Sequence, residues 1–136
     1  LTLGKELRGC IGSILPHRTL LDDLVSNARS AAFKDPRFRP LSTKEFEDVR
    51  IEVSILSQPE RFEYKSVEEL KQRVTHDDGV ILKDGPYQAT FLPQVWEQLP
   101  SFELFFSHLC QKAGLSSGCL EVNPEIYLYR VEKYEE

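Results

Sequence analysis

The sequence contains no methionine and only three cysteines, Cys10, Cys110 and Cys119, with no CxxC pair among them. An odd number of cysteines without close pairs argues against a disulfide framework and against a zinc site, and it favours a reducing compartment. We expect Cys110 to pack in a core, and Cys119, in a Gly/Ser loop, to be an ordinary exposed or half-buried thiol.

Long apolar runs and an excess of positive charge are also missing. No stretch approaches the roughly 20 residues that span a bilayer, and no signal-peptide segment opens the chain. Lysine and arginine number 17 against 22 aspartate and glutamate residues, whereas a nucleic-acid-binding protein usually has a basic face. These absences predict a cytoplasmic protein without a membrane segment and argue against nucleic acid as its ligand.

The motifs of several enzyme classes do not occur. The sequence has no HExxH, GxSxG, Walker A or GxGxxG pattern, so metalloprotease, serine-hydrolase and nucleotide-binding functions have no support. We therefore predict neither a metal ion nor a cofactor.

The length and composition of the chain predict one folded domain over residues 1–136. Hydrophobic residues make up 40% and charged residues 29% of the chain, and a chain of this length buries about two thirds of its unfolded surface. Leu1–Leu3 is typical of the middle of a strand, and the chain does not begin with methionine. We therefore expect the natural protein to continue upstream.

Hydrophobic spacing predicts helices at 19–33, 42–48, 66–73 and 101–113, and strands at 1–3, 7–11, 50–56, 80–83, 87–91 and 125–133. The helix at 19–33 has an apolar stripe that we expect to face a core, formed by Leu21, Leu24, Val25, Ala28 and Ala32. Asp84-Gly85 is a strong hairpin signal. Hairpin-linked strands with interspersed helices predict an α+β fold with a mainly antiparallel β-sheet flanked by helices.

The segment Arg8–Gly12 is the best candidate for a chemical centre. In an extended chain alternate side chains share a face, so Leu7 and Ile11 would point to the core while Arg8 and Cys10 lie together on the other face. A guanidinium beside a thiol favours the thiolate, which is the nucleophilic form.

Gly9 and Gly12 flank this cysteine. Without side chains they allow a ligand or another backbone segment to approach, and their N–H groups can converge on an anion. His17 is a candidate base for Cys10, although no spacing rule requires the contact. The alternative is that Cys10 simply packs and that the glycines mark a β-bulge.

Two further polar residues could contribute to such a site. Arg37 lies in the stiff segment Asp35-Pro36-Arg37-Phe38 and could clamp a carboxylate or phosphate; a link from Arg37 to Asp35 or to a helix C-terminus is the favoured alternative. Glu52 would be a general acid or base if its strand face lined a cleft, but solvent exposure is the simpler expectation.

Several irregular motifs occur in one order: LRGCIG, AAF, DPRF followed by PLS, IEVSILS, DGVIL, ATFLPQVWEQLP and KAGL. From Leu3 to about Tyr134 the chain resembles the AMME chromosomal region (AMMECR) protein family. The family's hallmark RGCIG falls on Arg8, Gly9, Cys10, Ile11 and Gly12. The resemblance implies an α+β fold with a smaller second lobe, and a helical stretch before the first strand that this chain lacks.

The resemblance leaves open whether the protein is an enzyme, because the family has no agreed activity. Our first hypothesis is an enzyme or enzyme accessory subunit that handles a small anionic substrate. Cys10 and Arg8 would be catalytic, and the substrate contacts would come from Gly9, Ile11, Gly12, Arg37 and Glu52. The alternative is a non-catalytic interaction or regulatory module. In microbes the family's association with Memo-like and radical-SAM proteins implies partners of those kinds.

Overall fold

The computed structural model describes all 136 residues, which form two compact units. The first comprises Leu1–Ile55 with Glu132–Glu136, and the second comprises Leu56–Val131. The α-helices are α1 (Leu20–Phe33), α2 (Thr43–Asp48), α3 (Val67–Arg73) and α4 (Phe102–Lys112). The strands are β1 (Thr2–Leu3), β2 (Glu6–Leu7), β3 (Glu52–Leu56), β4 (Glu60–Phe62), β5 (Gly79–Asp84), β6 (Tyr87–Phe91), β7 (Glu125–Tyr129) and β8 (Val131–Glu135).

The second unit contains the larger sheet. Its four strands run in the order β4-β7-β5-β6, and every neighbouring pair is antiparallel. The predicted hairpin at Asp84-Gly85 joins β5 to β6, with Gly85 at a φ of 59°. Helix α4 contributes its apolar face to the core of this unit, where Phe105, Leu109 and Ile126 are fully buried. The predicted α+β fold with mainly antiparallel sheets and flanking helices is confirmed, and none of its helices combines the length and apolarity needed to cross a bilayer.

In the first unit, β1 and β2 form a short antiparallel hairpin around Gly4, whose φ is 62°. Thr2 of this hairpin forms a bridge with Arg50, and β3 pairs with β8. Helix α1 starts where its sequence predicts, because the Thr19 side chain accepts a hydrogen bond from the Asp22 N–H at 3.2 Å.

The apolar pattern of residues 125–133 predicts one strand, but the structure has two strands there. Strand β7 is central in the larger sheet, as expected, and it ends at Tyr129. The break falls at Arg130, whose guanidinium Nε lies 3.0 Å from the buried carboxylate of Asp78. That contact joins residues 52 positions apart, so no local pattern could reveal it.

The expectation of unpaired Cys110 and Cys119 thiols is wrong. Both side chains are buried, and their sulfurs are bonded to each other. Helix α4 ends before Gly114, whose φ of 87° is unfavourable for other residues, and the chain then turns back through the 3-10 helix Cys119–Val122. This reversal brings Cys119 onto α4, so that Cys10 is left as the free cysteine.

The apolar stripe predicted for α1 faces the core only at its end. Ala31 and Ala32 are buried, whereas Leu21, Leu24 and Val25 are 68%, 39% and 44% exposed. Spacing therefore predicted the helix correctly, but it did not show which part of the stripe would be covered.

Candidate functional site

The Arg8–Gly12 segment lies outside the strands, because β2 ends at Leu7. The alternation expected of an extended strand therefore fails. Leu7 and Ile11 are 47% and 38% exposed instead of buried, while Arg8 is buried at 7% exposure. Cys10 is exposed, as a reactive thiol would need to be.

Arg8 is not positioned to activate Cys10, contrary to the sequence-based expectation. Its Nε and Nη2 atoms donate to the two carboxylate oxygens of Glu45 at 2.7 and 3.0 Å, and Nη2 also donates to the Arg39 carbonyl at 2.7 Å. A buried guanidinium requires such a paired carboxylate. Arg8 therefore holds the hairpin to the start of α2.

Glu45 also belongs to the start of α2, where it forms a capping box with Ser42. The Arg8 hydrogen bonds and the Ser42 N–H together lower the pKa of Glu45 from its ordinary 4.5 to about 2. Because the folded pKa is the lower one, the stability contributed by ionised Glu45 is complete above pH 4.5 and is lost as the pH falls through about 2.

We expect Glu45→Gln to flatten the acid limb of the stability profile. Glutamine cannot ionise. The free energy of unfolding of the variant will therefore fall less between about pH 4.5 and pH 2 than that of the wild type. Urea unfolding followed at several pH values measures the difference. Parallel profiles for the two proteins would contradict the assigned Arg8–Glu45 pairing.

Asp35 connects the Cys10 loop to the following turn, and its side chain is almost fully buried. Its Oδ2 atom accepts from the Cys10 N–H at 3.0 Å and from Arg37 Nη2 at 2.7 Å. Its Oδ1 atom accepts from the Arg37 N–H and from Arg37 Nε, both at 3.0 Å. These four bonds, chiefly those from the Arg37 guanidinium, lower the pKa of Asp35 well below its ordinary range.

Arg37 is thus the arginine that the structure associates with Cys10. Its pKa is raised mainly by the hydrogen bonds to Asp35, and the negative charge of a Cys10 thiolate adds to that shift. The Phe38 ring centre lies 5.5 Å from the guanidinium carbon of both Arg8 and Arg37, and cation–π contacts of this kind help to fix both side chains.

Gly9 is required for space. A Cβ atom at this position would overlap the backbone carbonyl oxygen of Ala31, so the loop can lie against α1 only without a side chain. Of the two alternatives, a ligand or another backbone segment, the structure shows the backbone segment at Gly9. A Cβ atom at Gly12 would meet nothing within 4 Å, so Gly12 is not needed for packing.

The two other candidate acid–base residues make different contacts. His17 Nε2 lies 3.2 Å from Ser13 Oγ and 3.5 Å from Asp23 Oδ1, in a polar cluster at the start of α1, and not against Cys10. Glu52 forms an ion pair with Lys133 at 3.2 Å. The structure therefore brings together Cys10, Asp35 and Arg37, and it does not add His17 or Glu52 to them.

Sequence reasoning missed Glu45 entirely and treated Asp35 only as a partner of Arg37. A signal for Asp35 was present, since an aspartate commonly accepts from the backbone two residues ahead, as it does here from Arg37. For Glu45 the signal was the Ser42-x-x-Glu45 pattern of a capping box, but its pairing with Arg8 spans 37 positions.

These features define an α+β protein of two compact units, with an exposed cysteine on a loop that the Asp35 carboxylate holds by a hydrogen bond. The sequence model of the AMMECR1 family matches residues 1–134, and the chain belongs to that family.

Individual archaeal relatives agree with this assignment. Protein NEQ441 of Nanoarchaeum equitans is 38% identical over 138 residues, which cover 99% of this chain and 77% of the relative. Protein MJ0810 of Methanocaldococcus jannaschii is 38% identical over 139 residues, covering 97% and 67% respectively. The crystal structure of uncharacterized protein PH0010 from Pyrococcus horikoshii superimposes with a TM-score of 0.85 at 34% identity. It covers 95% of this chain, which spans 64% of that protein.

Proposed function

We propose that the Cys10 loop binds a small anionic molecule and that the protein is an enzyme, or an accessory subunit of an enzyme, that uses the Cys10 thiol. One observation carries this proposal: a single buried carboxylate, that of Asp35, holds both the Cys10 backbone and the Arg37 guanidinium. The Cys10 backbone, which carries an exposed thiol, and the Arg37 cation are thereby joined through one carboxylate.

Arg37 has the features needed to contact a ligand. Its side chain is 56% exposed, and its Nη1 nitrogen makes no hydrogen bond within the protein, whereas Nε and Nη2 are occupied by Asp35. A ligand oxygen could accept a charge-assisted hydrogen bond from that free nitrogen. In this proposal Arg37 takes the role that the sequence suggested for Arg8.

Neither of the two bases suggested by the sequence contacts Cys10, and this favours the accessory form of the proposal. His17 and Glu52 are engaged by Asp23 and Lys133, so neither contacts the thiol. A proton acceptor for a reaction at Cys10 then has to come from the substrate or from a partner protein. Memo-like and radical-SAM proteins are the partners that we propose to test.

Alkylation with two reagents tests the positive charge beside the thiol. Iodoacetate is anionic and iodoacetamide is neutral, but both attack the same thiolate, so the ratio of their rates is independent of the thiolate fraction. Because two unit charges about 4 Å apart interact by about 1 kcal/mol in water, Arg37→Gln is expected to lower the iodoacetate-to-iodoacetamide ratio about fivefold. Raising the ionic strength will reduce this difference.

Arg39→Gln is the matched control. It removes a nearby arginine whose contact with Arg8 uses only the backbone carbonyl, so the ratio will stay close to that of the wild type. Cys10 is the free cysteine, so the labelled product is unambiguous. An unchanged ratio in Arg37→Gln, or equal changes in both variants, would overturn the anionic-ligand proposal.

A specific observation also favours a second candidate, a non-catalytic interaction module. Leu7 and Ile11 flank the Cys10 loop and are exposed, which suits a protein contact. This candidate requires that Ile11→Asp releases a Memo-like partner protein that Cys10→Ala still binds. The opposite pattern of binding supports the thiol-centred proposal.

A further inference from the structure

Helix α1 has an exposed surface that is separate from the Cys10 site. We call it the α1 outer face; its apolar members Leu21, Val25 and Phe33 are 68%, 44% and 55% exposed. Ser26 and Ser30 lie between them on the same surface. The helix contacts its own unit through the buried alanines Ala31 and Ala32 instead, so these large side chains are left uncovered by the other residues of 1–136.

Two charged residues on this face are also unpaired. Asp22 lies near the N-terminal end and Arg29 lies two turns further on, and neither side chain forms an ion pair or hydrogen bond within the chain, whereas the neighbouring Asp23 has several partners. Seven helical residues correspond to about 10 Å along the axis, which is too far for Asp22 and Arg29 of one helix to meet.

We propose that the occupant of this face is a second copy of the chain, bound with the two α1 helices antiparallel. A two-fold axis beside Val25 and Ser26 would place Asp22 of each copy opposite Arg29 of the other. The same axis would bring Val25 of each copy against Ser26 of the other, and Leu21 over the small side chain of Ser30. A two-fold contact requires a self-complementary surface, and this pattern of charge and size provides one.

The helix spacing and the contact length of such a dimer lie within the ranges known for helix pairs. Small residues at the crossing let helix axes approach to about 8–10 Å, within reach of an aspartate and an arginine. Helix α1 has 14 residues and is therefore about 21 Å long, so the contact falls at the small end of protein interfaces. We accordingly expect a dissociation constant in the micromolar range.

Charge exchange tests both the partner and the orientation. Sedimentation equilibrium of the full-length protein should show a monomer–dimer equilibrium. Asp22→Lys and Arg29→Glu should each weaken the dimer about fivefold, since symmetry places two of these pairs in every dimer. The double variant carrying both changes restores opposite charges across the axis and should recover the wild-type dissociation constant to within about twofold.

The apolar contact is tested with a matched pair. Val25→Asp should weaken the dimer more than about tenfold, whereas Leu104→Asp, at an exposed leucine of α4, should leave it unchanged. A monomer at all concentrations, or a double charge variant as weak as the single ones, would overturn the proposal. A lower melting temperature of the Val25→Asp variant under conditions where the protein is monomeric would also overturn it. Such a result would show that another part of the same chain covers this face.

Discussion

Replacing Cys110 and Cys119 together by alanine is expected to lower the free energy of unfolding by about 2–3 kcal/mol. The bond joins residues nine positions apart. Opening a loop of this size raises the conformational entropy of the unfolded chain, which lowers the free energy of unfolding by about this amount. Both residues also belong to the buried core of the second unit. Urea unfolding followed through the fluorescence of Trp96, the sole tryptophan and a member of the same core, measures the change.

A reducing agent provides the control for this prediction. It should lower the stability of the wild type towards that of the double alanine variant and leave the variant itself unchanged. The Cys10→Ser background prevents the free thiol from exchanging with the disulfide during unfolding. Equal stability of the oxidised and reduced wild type would contradict a contribution from the Cys110–Cys119 bond.

Gly9→Ala is expected to destabilise the protein by about 1–3 kcal/mol, the range for an atom forced into filled space. The obstacle is the Ala31 backbone carbonyl, which belongs to α1 and cannot rotate away as a side chain would. The loop that carries Cys10 must therefore move. Thermal or urea unfolding measures the stability, and the rate of Cys10 alkylation reports the displacement of the loop.

Gly12→Ala makes the matched comparison, because it adds the same methyl group three residues later in the same segment. The added atom would lie in open space, and Gly12 is not among the glycines with positive φ. We expect a change within about 0.5 kcal/mol. Similar losses at both positions would show that backbone stiffening, and not the contact with α1, determines the cost at Gly9.

Local signals predicted most of the elements. Thr19 and Ser66 cap α1 and α3, and their positions were predictable because the hydroxyl accepts from an N–H only three residues further on. The turn at Asp84-Gly85 was predictable for the same reason, since its conformation depends on adjacent residues. The small strand β4 was missed, because three residues carry too little periodicity to be recognised.

The candidate site was only partly predictable. The sequence identified Cys10 and Arg37, and it anticipated the link from Arg37 to Asp35, which spans two residues. It assigned Arg8 wrongly, because the alternation rule holds only while the chain stays extended and β2 ends at Leu7. The bond between Cys110 and Cys119 was missed because it depends on a chain reversal that cysteine spacing alone does not show.

The double role of Glu45 has a consequence for the order in which the first unit assembles. Helix α2 has six residues, fewer than an isolated helix needs to persist in water. Its capping glutamate is also the partner of a buried arginine from the β1–β2 hairpin. We therefore expect helix α2 to become stable only when the hairpin docks, so that the two elements form and melt in one cooperative step.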